Sequence, residues 1–330
     1  MKKIALFAFA GIVLLLAGCA PAAQSSETFA MDTVISQTVY ARDNSILIQN
    51  YDTIRALEDS MSKTLEGSDV FRLNHAGGQD VVFSSAQTAQ ALTGCLELAR
   101  QTGGAFNPAL GGVVDAWGFG TENASVPEQS QLERLLAEAE YTQVRIDGDA
   151  VNAGKAQIDL GGAAKGYALD ALKITMDEAG VENALVAVGG SVYARGGKPD
   201  GSWKVGVRDP LGSTADFLAI LELADSCVST SGSYERGFTE GGVYYHHIID
   251  PQTGYPVQNG LISVSVVDES GLKTDVYSTA LFVMGLEQGL EFANSNSIDA
   301  LFITEDKKIY MTDGFQYEFE LINKDYQIEG

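Results

Sequence analysis

Ala184-Leu185-Val186-Ala187-Val188-Gly189-Gly190-Ser191-Val192-Tyr193-Ala194-Arg195 is the stretch on which the fold class turns. It reads as two short strands, Ala184–Val188 and Val192–Arg195, parted by glycine. Similar strands follow at Trp203–Arg208, Phe217–Leu223, Val243–Asp250 and Leu261–Asp268, separated by Gly, Pro and Asp. Upstream the pattern is different. After a strand-like segment, Thr28–Ala41, comes a helix over Ile46–Ser62, where Leu47, Tyr51, Ile54, Leu57 and Met61 recur at three and four residues. Asn44 or Ser45 can cap its start. Ser85–Gln101 reads as a second helix, stopped by Gly103-Gly104, with Ser130–Glu140 a third and Gly162–Gly180 a fourth. Helices return at Thr274–Met284 and Glu287–Ser295, and strands at Ala300–Thr304 and Ile309–Thr312. Helices and strands are interspersed with no regular β-α-β-α beat. That predicts an α+β fold of mixed sheets with packed helices, not a doubly wound sheet.

The chain begins with Lys2-Lys3 and an apolar run from Ile4 to Leu16, too short for a membrane span. The run ends in Leu16-Ala17-Gly18-Cys19, which resembles the bacterial lipoprotein box. The resemblance implies a signal peptide over residues 1–18, lipidation of Cys19 and a short tether over 19–27, with one domain over 28–330. The expectation is a protein that is exported and lipid-anchored to a bacterial membrane. Formal charge is −23 for the whole chain, and −25 with 19 basic against 44 acidic residues once Lys2 and Lys3 are gone. Such a chain repels nucleic acid, so a nucleic-acid partner is not expected. A phosphate-bearing ligand must then be held by a metal ion, backbone N–H groups or one of the few Lys and Arg. Cys95 and Cys227 belong to no Cys-x-x-Cys spacing, which gives a zinc site no support. A disulfide between them stays open, with two buried thiols expected.

Five constellations carry possible chemistry. Tyr244-Tyr245-His246-His247-Ile248-Ile249-Asp250-Pro251-Gln252-Thr253-Gly254-Tyr255-Pro256 sets two of the three histidines beside a strong turn. It suits a reactive wall or a tight hairpin with surface histidines. Thr102-Gly103-Gly104-Ala105-Phe106-Asn107-Pro108, with Trp117-Gly118-Phe119-Gly120 behind it, suits either a helix stop or a loop whose Phe and Trp flank a planar ring. Asp159-Leu160-Gly161-Gly162-Ala163-Ala164-Lys165-Gly166-Tyr167-Ala168-Leu169-Asp170 opens a helix on a Gly-Gly turn, where free N–H groups, the helix dipole and Lys165 favour phosphate. It is neither a Walker loop nor a GxGxxG fingerprint. Asp275 and Thr279 fall at i and i+4 on one helix face, and such oxygens suit Mg²⁺ rather than zinc; an N-cap Asp with a packed Thr has the same spacing. Ser229-Thr230-Ser231-Gly232-Ser233-Tyr234-Glu235-Arg236 is rich in hydroxyls and suits phosphate or ribose oxygens, or a surface hairpin loop.

The order of these blocks is more specific than any one of them. Met31-Asp32-Thr33, the Ala105-Phe106-Asn107-Pro108 loop with Trp117-Gly118-Phe119-Gly120, the Asp159–Asp170 block, Gly189-Gly190, Thr230-Ser231-Gly232-Ser233-Tyr234, His247–Gly254 and Asp275–Ala280 follow one another along the chain. This series, from about Phe29 to Phe302, resembles the FAD:protein FMN transferases, the ApbE-type flavin transferases. The resemblance implies transfer of the FMN portion of FAD, with Mg²⁺, to a Thr or Ser hydroxyl of an acceptor flavoprotein of an electron-transfer complex, releasing AMP. By position it implies FAD contacts at Met31, Ala105, Phe106, Asn107, Asp159, Lys165, Ile248 and Ile249. It implies metal ligation by Asp275, Thr279 and a backbone carbonyl, that of Gly162. His247 matches the family histidine and is assigned as the base that takes the acceptor proton, with His246 on the opposite face of the strand.

Three positions depart from the family pattern. Asn107 stands where Asp is usual, Asp32 where Gly is usual, and Met61-Ser62-Lys63-Thr64-Leu65 offers no aromatic for the adenine edge. Two other readings use the same features: an FAD pyrophosphatase, in which water replaces the acceptor, and a flavin-binding lipoprotein without catalysis. Asp275 and Thr279 weigh against the second, since flavin binding alone needs no metal site.

Overall fold

The computed structural model describes residues 22–213 and 215–329. The signal peptide and the lipidated Cys19 expected from the sequence lie outside those residues. The main sheet has nine strands, and their order across it is their order along the chain: Ala22–Ala30, Thr33–Ala41, Ala184–Val188, Ser191–Arg195, Ser226–Gly232, Leu261–Asp268, Asp299–Thr304, Lys308–Met311 and Gln327–Glu329. Neighbours are antiparallel except for the last pair. Between the second and third strands the chain inserts six helices, α1 (Ser45–Met61), α2 (Asp69–Asn74), α3 (Ala86–Gln101), α4 (Gly111–Trp117), α5 (Gln129–Glu138) and α6 (Ala164–Glu178). α7 (Gly271–Met284) and α8 (Leu286–Ser295) follow the sixth strand. The α+β expectation holds.

Because successive strand residues point to opposite faces, the sheet serves two cores. Val186, Val188, Val264, Val266 and Phe302 join the larger core, with Leu57 of α1, Leu92 of α3, Leu169 of α6 and Leu281 of α7. Leu185, Val192, Val267, Leu301 and Ile303 face the other way, onto a three-stranded sheet of Trp203–Arg208, Phe217–Leu223 and Glu318–Leu321. This double burial explains why Leu261–Val267 is buried at every position, Ser263 and Ser265 included. No described helix is long and apolar enough to cross a membrane. Cys95 and Cys227 are both buried and unpaired.

Four local expectations are corrected. The single strand over Thr28–Ala41 is a hairpin: Ala30 pairs with Thr33, and Met31 and Asp32 form a two-residue turn at φ 51° and 55°. Two positive φ values are what such a loop requires, and the sequence hides it by using neither Gly nor Asn. Ala22–Glu27, which the sequence offers only as tether, belong to the first strand of that hairpin. Asn44 does hold the N-cap position of α1, but its side chain makes no cap bond; the Ser45 N–H donates instead to Asp43 Oδ1 at 2.9 Å. The strand begun at Val243 stops at His246. α2 and α4, of six and seven residues, are too short to leave a readable period.

Candidate functional site

The site begins where α6 and α7 cross. A Cβ on Gly166 would run into the Gly271 carbonyl oxygen, and one on Gly271 into that of Gly166, so only glycine at both lets the backbones meet. Each helix then supplies a carboxylate to the start of the other. Asp170 accepts from the N–H groups of Gly271 and Leu272 at 2.8 and 2.9 Å and from Ser270 Oγ at 3.0 Å. Asp275 accepts from the Gly166 N–H in the first turn of α6 at 2.8 Å. These pairings satisfy amides that a helix start leaves open, and they set a negative charge at each positive dipole end.

Asp275 is 5% exposed. Its Oδ1 accepts from Ser191 Oγ at 3.0 Å, just past the Gly189-Gly190 turn, and Lys165 Nζ lies 3.9 Å from Oδ2. One helical turn on, Thr279 Oγ1 is 3.0 Å from Ser231 Oγ, which is also 2.9 Å from Ser278 Oγ. Lys165 folds back so that Nζ donates to the Gly161 carbonyl at 3.2 Å. A Cβ placed on Gly162 would sit 3.3 Å from the Phe106 ring and 3.8 Å from Thr279 Oγ1. Phe106, Gly162, Lys165, Asp275 and Thr279, scattered over the sequence, therefore meet in one place. The donor set fits a small hard cation: one carboxylate, a hydroxyl, and a turn free of side chain next to that hydroxyl. Among the described residues no three His, Cys, Asp or Glu side chains gather, so a metal here would keep water or ligand oxygens in its shell.

The remaining expected residues are held with different freedom. Asp159 precedes the Gly-Gly turn; its Oδ1 accepts from the Gly161 N–H at 2.7 Å and its Oδ2 pairs with Lys63 Nζ at 2.8 Å. Met31 is at the hairpin tip, its N–H donating to Glu58 Oε1 at 2.9 Å. The turn is keyed to its neighbour, since a Cβ on Gly189 would meet Thr33 Oγ1 at 2.6 Å. Ala105 is half-buried at the loop before Phe106. The Asn107 side chain holds its own loop: Nδ2 donates to the Ala139 carbonyl at 3.0 Å and Oδ1 accepts from the Ala109 N–H at 2.8 Å. An Asp there lacks the N–H for Ala139, which gives the departure a structural reason. Ile248 and Ile249 are 4% and 6% exposed and enter two different cores, so their side chains are wall and not open surface.

His246 and His247 separate, His246 closing the strand Val243–His246 and His247 lying just beyond it. His246 is buried, its Nε2 at 2.7 Å from the Val257 carbonyl oxygen, and burial depresses its pKa. His247 is half-buried, with Nδ1 3.2 Å from the Arg236 carbonyl oxygen. Burial pushes its imidazole down to about 4, the carbonyl contact opposes this, and the charges of Arg236 and Lys165 add to the depression. At neutral pH its ring is neutral and able to accept a proton.

Two sequence expectations change here. Trp117 does not flank an open pocket: it is fully buried, and its Nε1 donates to the Gly254 carbonyl at 2.8 Å. It packs with Phe119, Tyr245 and Tyr255, so the Trp-Gly-Phe-Gly block braces the turn after His247. The hydroxyl-rich stretch is not a surface loop, because Ser229, Thr230 and Ser231 lie in the strand Ser226–Gly232. Ser191, Ser231 and Ser278 also belong to this cluster, beyond the residues expected from the sequence. Ser278, next to Thr279 on α7, had a local signal, whereas Ser191 and Ser231 are known only from their partners.

Residues 31–302 match the family model described as the ApbE family. The chain is 30% identical over 303 residues to the FAD:protein FMN transferase of Klebsiella pneumoniae, covering 90% of this chain and 94% of that one. It is 31% identical over 315 residues to the Treponema pallidum protein of the same name, covering 90% and 87%. Among solved structures it is similar to the apbe protein of Thermotoga maritima, with a TM-score of 0.83 and 32% identity over 89% of this chain and 98% of that one. The flavin transferase ApbE of Vibrio cholerae matches with a TM-score of 0.80 and 28% identity over 90% and 99%. Fold and site thus define a chain of the flavin-transferase type. It belongs to the ApbE family.

Proposed function

We propose that this chain transfers the FMN portion of FAD to a Thr or Ser hydroxyl of an acceptor flavoprotein and releases AMP. The observation that carries this reading is the meeting of Asp275, Thr279, Lys165 and the Gly161-Gly162 turn at the start of α6, in a member of the ApbE family. Asp275, Thr279 and the Gly162 carbonyl would hold Mg²⁺. Bound there, the ion would neutralise charge on the pyrophosphate oxygens. Lys165 takes the remaining phosphate charge. The acceptor hydroxyl oxygen attacks the FMN phosphorus, the P–O bond to AMP breaks, and AMP leaves with the bridging oxygen. His247 takes the hydroxyl proton, a role that suits a ring kept neutral by burial.

We assign the chain to the outer face of a bacterial membrane, tethered through Cys19, with an electron-transfer flavoprotein as the acceptor class. What supports the tether is the lipoprotein-box resemblance at Leu16-Ala17-Gly18-Cys19. The test is incubation of the mature protein with FAD, Mg²⁺ and a candidate acceptor, reading covalent flavin fluorescence on a denaturing gel together with free AMP. Labelled acceptor and AMP in step are expected. AMP without labelling would replace the transferase with a pyrophosphatase, and absence of AMP would remove both.

A further inference from the structure

Lys63 follows the end of α1, and its amino group sits between two carboxylates from distant parts of the chain. Nζ is 2.6 Å from Asp115 Oδ1 on α4 and 2.8 Å from Asp159 Oδ2 at the mouth of the Gly161-Gly162 turn. The side chains of Lys63 and Asp159 are each 20% exposed, against 62% for Asp115, so the inner pair is the sheltered one. The other Asp159 oxygen is held by the Gly161 N–H, and the Asp159 N–H donates to the Pro108 carbonyl at 2.8 Å. The polar groups of Asp159 nearest the turn are thus fixed, and among the described residues Lys63 is the cation paired with it.

An ammonium has three donors, so after serving both carboxylates it keeps one N–H free. Without it the two carboxylates would face each other within two hydrogen-bond lengths, carrying two negative charges instead of one. That repulsion would arise beside the turn that takes pyrophosphate in the functional reading above, on a chain of formal charge −23. The stretch Met61–Leu65, which lacks the aromatic usual in the family, therefore carries an electrostatic device.

We propose that Lys63 is a positioning residue for FAD, clamping Asp159 and cancelling its charge at the entrance of the Gly161-Gly162 turn. The inference rests on the FAD-site reading and adds the residue that makes the entrance tolerable to an anion. Lys63 does not touch the transferred phosphorus, so its loss acts on binding and not on the chemical step.

The test compares K63M, K63Q, K63R and the double variant K63M/D115N, titrating FAD by flavin fluorescence with Mg²⁺ and timing acceptor labelling at saturating FAD. K63M and K63Q are expected to weaken FAD binding about tenfold, the scale of one charge-assisted hydrogen bond. Labelling at saturating FAD should stay within about twofold, and K63R should bind nearly as the parent does. Removing Asp115 as well should recover part of the lost affinity, because the repulsion goes with it; a merely structural lysine would give no such recovery. K63Q keeps a polar, uncharged end if K63M fails to fold. Parent-like FAD affinity in K63M and K63Q, or a fall in saturated rate at unchanged affinity, or no recovery in the double variant overturns the clamp. Failure of the parent protein itself to bind FAD overturns the functional reading instead.

Discussion

Asp275 and His247, which the functional reading assigns to one site, are held by different means. Asp275 is locked by the backbone: two glycines let α6 and α7 touch, and each helix lends a carboxylate to the other's first turn. His247 is held by one carbonyl contact on a hairpin end, braced through the turn that Trp117 grips. The first arrangement makes structure and chemistry inseparable, because the carboxylate that could hold a metal also closes a helix. The second leaves the histidine replaceable without disturbing the fold. Substitutions on the two sides should therefore fail in different ways.

The largest effect is expected at the crossing. Gly166→Val puts a branched side chain against the Gly271 carbonyl and the Asp275 Cβ, so the helices must separate. Overpacking of a tight core costs about 1–3 kcal/mol, and backbone displaced at a shared cap belongs at the top of that range. Denaturant unfolding should show a large drop in midpoint with transfer activity lost in parallel. A G166V protein of parental stability would mean that the crossing is looser than its geometry.

Asp275→Asn comes next. It keeps the shape and one acceptor for Gly166, but removes the charge that faces Lys165. Transfer should fall by roughly 10³-fold, the effect of losing several kcal/mol of metal-borne charge stabilisation. Stability should change far less than in G166V, by about 1 kcal/mol. Measuring rate against Mg²⁺ concentration separates lost metal affinity from lost folding. If D275N keeps both the rate and the Mg²⁺ dependence of the parent, Asp275 is a helix cap and nothing more.

His247→Gln is expected to slow transfer by about 10²-fold, the lower end for a positioned base, with FAD affinity and unfolding midpoint unchanged. An undiminished rate would remove His247 as the base. The parent protein carries a pH test of the same residue. Burial holds the imidazole at about 4 against its ordinary 6.5, so folding favours the neutral ring. The unfolded chain binds the extra proton between these values, so stability tied to His247 is full above 6.5 and lost as the pH falls toward 4. The acid limb of kcat/KM, which reports the free enzyme, should likewise fall near 4. A limb at 6.5 that vanishes in H247Q would show the ring to be more solvated than its surroundings imply.

The contrast also explains what the sequence allowed to be read. Asp275, Thr279, Lys165 and the Gly-Gly turn were legible because each carries a local signal, a helical spacing or a turn, and because the blocks come in a recognisable order. Their supports were not legible. Asp170 caps a helix 101 residues away, and Ser231 meets Thr279 across 48 residues. Local pattern gives a residue's type and face but not its distant partner. Trp117 misled for the same reason: an aromatic after glycines looks like a ligand wall until its N–H is seen to reach Gly254. The fold class survived such errors because it depends on how elements alternate along the chain, not on who touches whom.

The smallest expected effect lies at the hairpin tip beside the locked half. Met31 and Asp32 both hold positive φ, which costs about 1 kcal/mol or more for a residue with a side chain. Asp32→Gly removes that strain at the second turn position, although glycine gives back part of the gain by loosening the unfolded chain. The net expectation is a stabilisation of about 0.5 kcal/mol, a rise of roughly 1–2 °C in Tm for a chain of this size. Thr33 stays packed against Gly189, so FAD affinity should hold and the turn should keep its position. If D32G raises Tm but weakens FAD binding, the strain at Met31-Asp32 is part of the site and the locked half extends to the hairpin. If Tm falls, the Asp32 side chain does more for the turn than its φ costs.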